Sequence, residues 1–268
     1  EWEVARTETN LGICTKHLTG KGNLAEEGFK LICAHSDSPT FRIKPHAEMP
    51  VEGKYLKLNT EVYGGPIMYT WFDRPLSMAG RVMVKSDKPL KPATQFINFD
   101  RPLLEIPHIA IHFNRAVNDQ GNPLSKQRDM LPVIAMINET FEKDNFLLKL
   151  IAQEMNIPAE DILDFDLTLY EYGKGTLFGL NNEFISSGRL DDLAMVHAGL
   201  TALLDSKPCN KTKVLAIFDN EEVGSGTKQL REQNEEMRKR IETFKLPIHS
   251  FFTITFILYF LFFIFLKK

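Results

Sequence analysis

The stretch Lys213-Val214-Leu215-Ala216-Ile217-Phe218-Asp219-Asn220-Glu221-Glu222-Val223-Gly224-Ser225-Gly226 decides how the rest of the chain is read. Its first six residues form a short apolar run rich in strand formers, and the closing Gly-Ser-Gly is turn chemistry, so two adjacent carboxylates stand at a strand's carboxyl end. In open α/β sheets ligands bind at that end. Successive side chains of an extended segment point to opposite sides, which gives Glu221 and Glu222 separate tasks, one to hold a metal and one to reach a water. A bare Glu-Glu pair is more often a solvated acidic turn, so the assignment needs companions elsewhere in the chain.

One companion lies far upstream, in Phe29-Lys30-Leu31-Ile32-Cys33-Ala34-His35-Ser36-Asp37-Ser38-Pro39. Residues 29–34 read as a strand and Ser-Asp-Ser-Pro as a turn, which places His35 at a second strand's carboxyl end. A ligating imidazole needs a partner on its other nitrogen to fix its tautomer, and Asp37 is a candidate for that place. The plain alternative is a turn Asp beside a satisfied His.

The other companion is Phe184-Ile185-Ser186-Ser187-Gly188-Arg189-Leu190-Asp191-Asp192-Leu193. Leu193, Val196, Leu200, Leu203 and Leu204 make a helical stripe, so Asp191 and Asp192 fall at a helix start, where the dipole favours carboxylates. Capping accounts for one of them. The second has two oxygens with which to bridge a pair of metal ions. His197, one turn on, reads as a packed or exposed polar residue.

Between these segments, from Pro45 to about Ile157, short strand-like runs such as Glu61–Pro75 and Gly80–Val84 alternate with Gly, Pro and Asp clusters, the texture of a β-rich insertion. His108 and His112 stand four apart, a spacing that turns both the same way on a helix or a strand. Glu139–Met155 carries Phe146, Leu147, Leu150, Ile151 and Met155 at helical spacing, and Ile162–Leu169 returns to strand.

The 268 residues are 43% hydrophobic and 25% charged, a globular balance with room for one or two domains. A net charge of −3 leaves no basic footprint for nucleic acid. Cys14, Cys33 and Cys209 are odd in number and form no C-x-x-C pair, which argues against a disulfide framework or a thiolate zinc site and for a reducing, cytoplasmic setting. The chain opens without Met and without an apolar signal segment, as a cytosolic protein or a fragment would.

Taken in order, Ala34–Pro39, Trp71-Phe72-Asp73-Arg74, Ile106–His112, Arg189–Leu193 and Asp219–Ser225 resemble the aspartyl aminopeptidase family over about residues 2–230. The resemblance implies an α/β fold. A mixed-sheet catalytic domain (1–47 and 159–244) would be interrupted by a β-rich lid and dimerisation domain (48–158), in a homo-oligomer. It implies two zinc ions per subunit, with His35 on one, Glu222 on the other and Asp191 bridging. Asp37 would orient His35, and Glu221 would be the general base. The substrates it implies are peptides with an N-terminal Asp or Glu, and His112 matches a residue that reaches a neighbouring subunit's substrate pocket.

Three departures stand out. Asp192 replaces the family's usual Asn, and Ser36 its common Thr. After the Glu-Glu motif the family supplies a further Asp and His that this chain lacks. Instead a charged helical stretch at 229–242 leads to residues 245–268. There Phe251–Leu266 are sixteen uncharged residues, seven of them Phe, just under the ~17–25 that span a bilayer. The expectation is an end not native to the fold, such as read-through or a frameshift; a genuine tail would attach the protein to membranes. Two functions stay open at this point. One is a zinc aminopeptidase in incomplete form; the other is a non-catalytic relative acting as an oligomerisation or membrane-attached module.

Overall fold

The protein is described by a computed structural model covering residues 14–88, 90–138 and 145–224, together with Glu235 and Lys239. The charged stretch at 229–242, the tail at 245–268 and the first turns of the expected helix at 139–144 lie outside the described residues. Among the described residues, no helix is long and apolar enough to cross a membrane.

The chain divides into two compact units, one of Glu1–Ser38 with Gly175–Lys268 and one of Pro39–Lys174. The first holds β1 (Cys14–Leu18), a single turn α1 (Leu24–Glu27) and β2 (Phe29–His35). After Gly175 it resumes with the hairpin β9 (Thr176–Phe178) and β10 (Phe184–Ser186), then α4 (Leu190–Asp205) and β11 (Thr212–Phe218). The second holds β3 (Thr40–Val51), β4 (Tyr55–Tyr63), β5 (Leu76–Val84), β6 (Ala93–Asn98), α2 (Val117–Gln120), β7 (Val133–Met136), α3 (Phe146–Met155) and β8 (Ile162–Glu171).

The first unit is built on a mixed three-stranded sheet in the order β1-β11-β2. β11 runs parallel to β2, from Thr212 opposite Phe29 to Phe218 opposite His35, and antiparallel to β1. Parallel neighbours need a crossover connection, and α4 precedes β11 in that role, packing on both β2 and β11.

The buried face of α4 differs from the leucine stripe read in the sequence. Gly199 and Leu203 are buried, while Leu193 and Leu204 are exposed. The reason is Gly199: a Cβ there would meet Leu215 Cδ1 at 2.9 Å and Ile32 Cγ2 at 3.3 Å. The helix settles where it lacks a side chain, a position that a count of apolar residues passes over.

The second unit is a six-stranded sheet in the order β6-β5-β8-β3-β4-β7, antiparallel at every pairing. Alternation along β4 buries Leu56, Leu58 and Thr60 and leaves Lys57 and Glu61 toward solvent, the period-2 pattern of a sheet with one covered face. Phe41, Leu58, Met78, Val82, Leu167 and Leu169 form its core with Leu147 and Ile151 of α3, four residues apart on one helix face. Trp71 closes edge-on against Phe41 at 4.9 Å.

This unit reaches from Pro39 to Lys174, not from 48 to 158. The cause is pairing. β8, expected in the catalytic part, lies between β5 and β3, matching Leu76–Val84 from Glu171 back to Ile162, and β3 pairs with β4 at both its ends, over Thr40–Ile43 and Glu48–Val51.

A candidate metal centre at the strand ends

The β2 and β11 ladder continues one step past His35, where the Ser36 N–H donates to the Phe218 carbonyl at 2.9 Å. Because Phe218 is the register partner of His35, whatever follows Phe218 is delivered beside the imidazole. Asn220, in the left-handed region at φ 65°, then turns the chain. Glu221–Val223 form a 3-10 turn. The extended geometry expected at Glu221 and Glu222 is therefore replaced by one in which successive side chains diverge by about 120°. Glu221 is exposed and Glu222 half-buried.

Asp37 holds this turn in place. Its side chain is only 6% exposed, and its Oδ1 lies 3.3 Å from His35 Nδ1. Its two oxygens also accept the backbone N–H groups of Glu221 at 3.2 Å and Glu222 at 3.0 Å. One carboxylate thus faces the imidazole and ties down both glutamates. The Asp37 carbonyl stands 3.1 Å from the same His35 nitrogen.

From α4 comes the third segment. Asp191 and Asp192 carry non-helical backbone angles at the start of the helix, and the cap position, Arg189, makes no side-chain cap bond. The capping expected of one Asp is absent for a physical reason: Asp192 bonds across the unit instead, its Oδ2 accepting the His35 N–H at 3.1 Å. Asp191 is 89% exposed, with Oδ1 3.4 Å from His35 Nε2. Ser38 Oγ donates to the Asp191 carbonyl at 3.3 Å.

His35, Asp191 and Glu222 each offer a ligand atom within 4.8 Å of the others. One imidazole nitrogen and two carboxylate oxygens are a zinc donor set. The residues fit the ion. Glu221 Oε2 stands 3.7 Å from His35 Nε2, beside the ligand set.

The charges of this cluster act on one another. Burial by itself would lower the His35 pKa, but the hydrogen bond with Asp37 and the charges of Asp192, Asp37 and Glu221 outweigh it and push the imidazole up to about 9. Burial also pushes Glu222 up, to about 7, against the opposing pull of His35 and with help from Asp191, Asp37 and Glu221. Asp192 is raised, again chiefly by burial. A bound cation would reverse these trends by favouring the deprotonated ligands.

The paired histidines of the second unit do not share a regular element. His108 lies outside any helix or strand, its ring edge-on to Phe72 at 4.8 Å, and its N–H donates to Asp73 Oδ1 at 2.8 Å. His112 stands exposed in the 3-10 turn Ile111–Phe113. Neither belongs to a metal-competent cluster among the described residues. Sequence reasoning left Asp191 and Asp192 as one cap and one metal bridge, and did not foresee the bond of Asp192 to the His35 backbone, 157 residues away. The available signal was the second of two adjacent Asp residues, once the first is spent on the site.

A mixed α/β unit carrying a histidine and carboxylates at its strand ends, interrupted in sequence by an antiparallel β unit, defines a class of metal-binding α/β proteins with an inserted β domain. Within it, the chain belongs to the M18 peptidase family: the family model described as aminopeptidase I zinc metalloprotease matches residues 9–234. A Clostridium acetobutylicum protein named probable M18 family aminopeptidase 2 is 60% identical over 210 residues, covering 78% of this chain and 48% of that protein. Its Clostridium novyi namesake is 55% identical over 217 residues, or 81% and 50%.

Among solved structures, a chain in the cryo-EM structure of the Ape4 and Nbr1 complex superposes with a TM-score of 0.77 at 33% identity, over 89% of this chain and 49% of that one. Chaetomium thermophilum mApe1 does so at 0.75 and 30%, over 88% and 57%. The chain spans about half the length of the curated relatives it matches.

Proposed function

We propose that this chain carries the zinc-binding part of an aminopeptidase that removes N-terminal Asp or Glu from peptides in the cytoplasm. The observation that carries the reading is the convergence of His35, Asp191 and Glu222 within 4.8 Å, with Glu221 alongside. In it, His35 and Glu222 would hold separate ions of a zinc pair and Asp191, whose carboxylate offers two oxygens, would span them. Zinc bound there supplies Lewis-acid polarisation of a carbonyl and a water acidified toward neutral pH. Glu221, exposed and unencumbered by packing, takes the proton of the attacking water and returns it to the departing amine. Asp37 keeps His35 Nδ1 engaged, so that Nε2 faces the ligand cluster.

The unit Pro39–Lys174 would serve as lid and dimerisation surface, with His112 contributing to a neighbouring subunit's substrate pocket. Ile67, Phe96 and Phe113 of this unit are 71%, 86% and 80% exposed and would offer apolar surface to such a partner. An S. cerevisiae mApe1 of the same fold is described as a dodecamer.

A chimera tests the function: this chain's residues replace the matched part of the Clostridium acetobutylicum relative, and peptides differing only in their first residue are offered. Zinc-dependent release of Asp and Glu in preference to Leu is the expected result. Release that survives a chelator, or no preference for acidic residues, would overturn the mechanism or the specificity respectively.

A further inference from the structure

We propose that Asp192 is a positioning residue of the metal centre, holding the main chain of His35 at a fixed distance from Asp191. The inference rests on the metal reading above and assigns a role to a residue outside its ligand set.

β2 is the outer strand of its sheet among the described residues. In a parallel ladder, neighbouring residues direct their N–H groups to opposite sides. The Ser36 N–H goes to Phe218 on β11, so that of His35 points away from β11, where no described strand receives it. A backbone donor left there, in a half-buried place, would lack a partner. Asp192 Oδ2 accepts it at 3.1 Å, and the Asp192 side chain is only 17% exposed.

The geometric effect is to close a small ring. His35 and Asp191 approach through their side chains, 3.4 Å between Nε2 and Oδ1. They are joined a second time through the hydrogen bond from the His35 backbone to Asp192, the covalent neighbour of Asp191. Two ligands from different elements are thereby locked together. Asp191 needs the lock, because its own side chain is 89% exposed, with the outlying Ser38 hydroxyl on its carbonyl. Asp37 does the equivalent for Glu222 on the opposite side.

Asp192 also carries a charge 4.0 Å from His35 Nε2, so acceptor and charge have to be separated by experiment. Co(II) and Zn(II) are titrated into the 268-residue chain and into its Asp192→Asn, Asp192→Ala, Asp192→Glu and His35→Ala variants, with the Co(II) d–d spectrum recorded at saturation. Asn keeps an acceptor in place without charge; Glu keeps the charge and displaces the acceptor by one methylene.

Positioning requires Asp192→Ala and Asp192→Glu to weaken binding by roughly 10–100-fold with an altered Co(II) spectrum, and Asp192→Asn to restore both. Should Asp192→Ala fail to fold, the Asn and Glu pair still decides. Weakening by Asn with retention by Glu would assign a charge role and overturn the proposal. Unchanged binding in Ala and Glu, while His35→Ala abolishes it, would overturn the positioning role alone. Unchanged binding in His35→Ala would remove the metal reading itself.

Discussion

The Asp37 carboxylate accepts the backbone N–H of Glu222 at 3.0 Å, and through that bond a residue just past the end of β2 sets where the turn after β11 presents Glu222, the proposed ligand. The same carboxylate lies 3.3 Å from His35 Nδ1. Orientation of the histidine and placement of the glutamate are therefore one structural event.

Asp37→Ala should lower both stability and metal affinity. Two backbone donors lose their acceptor, which costs about 1–3 kcal/mol, and the ligating imidazole loses its partner, which weakens metal binding by roughly 10–100-fold. Thermal melts and zinc titrations measure the two effects. A loss of stability with unchanged zinc affinity would confine Asp37 to the turn.

Metal binding should strengthen as pH rises through the range of Glu222 and His35. With the first pushed up to about 7 and the second to about 9, both proposed ligands hold protons in the metal-free chain near neutrality, and zinc binding there would have to displace them. Calorimetry in buffers of different ionisation enthalpy reads the released protons. Stability of the metal-free chain follows the opposite course. Both groups have folded pKa values above their ordinary 6.5 and 4.5, so their contribution is complete below those values and is lost as pH climbs to about 9 and about 7. A metal affinity independent of pH between 6 and 9 would contradict the charge arrangement described.

Glu221→Gln in the active chimera should reduce turnover by about 10²–10⁴-fold while leaving zinc content unchanged. The amide keeps the shape and loses the base. Near-normal turnover at equal zinc content would take the general-base role away from Glu221.

Gly199→Val should destabilise the first unit by about 1–3 kcal/mol, since its side chain would enter the space held by Leu215 and Ile32. Denaturant midpoints measure the loss. Because α4 carries Asp191, zinc affinity should fall with it, whereas the exposed change Leu204→Ala should leave both nearly untouched.

The two strands at the centre were legible because each is a short apolar run ended by turn residues, and their carboxyl ends were therefore in view. What the residues could not display was distance. His35 and Asp192 meet across 157 positions, and a local reading of Asp191-Asp192 finds the helix dipole first. The limits of the β unit were hidden by β3. Thr40–Val51 contains Pro45 and Pro50, which argue against an interior strand, yet its ladder with β4 breaks between Ile43 and Glu48, and Pro45 falls inside that break. Asn220 produced the other divergence: its left-handed backbone bends what apolar patterning alone would continue as extended chain.

The sequence interruption between Ser38 and Gly175 has a temporal side. His35 leaves the ribosome long before its register partner Phe218, by roughly ten to forty seconds at about 5–20 residues per second. During that interval Pro39–Lys174, with strands and core of its own, has everything required to fold, while β2 has neither β11 nor α4 to cover it. Among the described elements, the site is therefore completed only after the β unit can form. A pause or cut anywhere before Thr212 leaves a folded β unit attached to an uncovered strand, and that strand, not the β unit, is where such a nascent chain would need a chaperone.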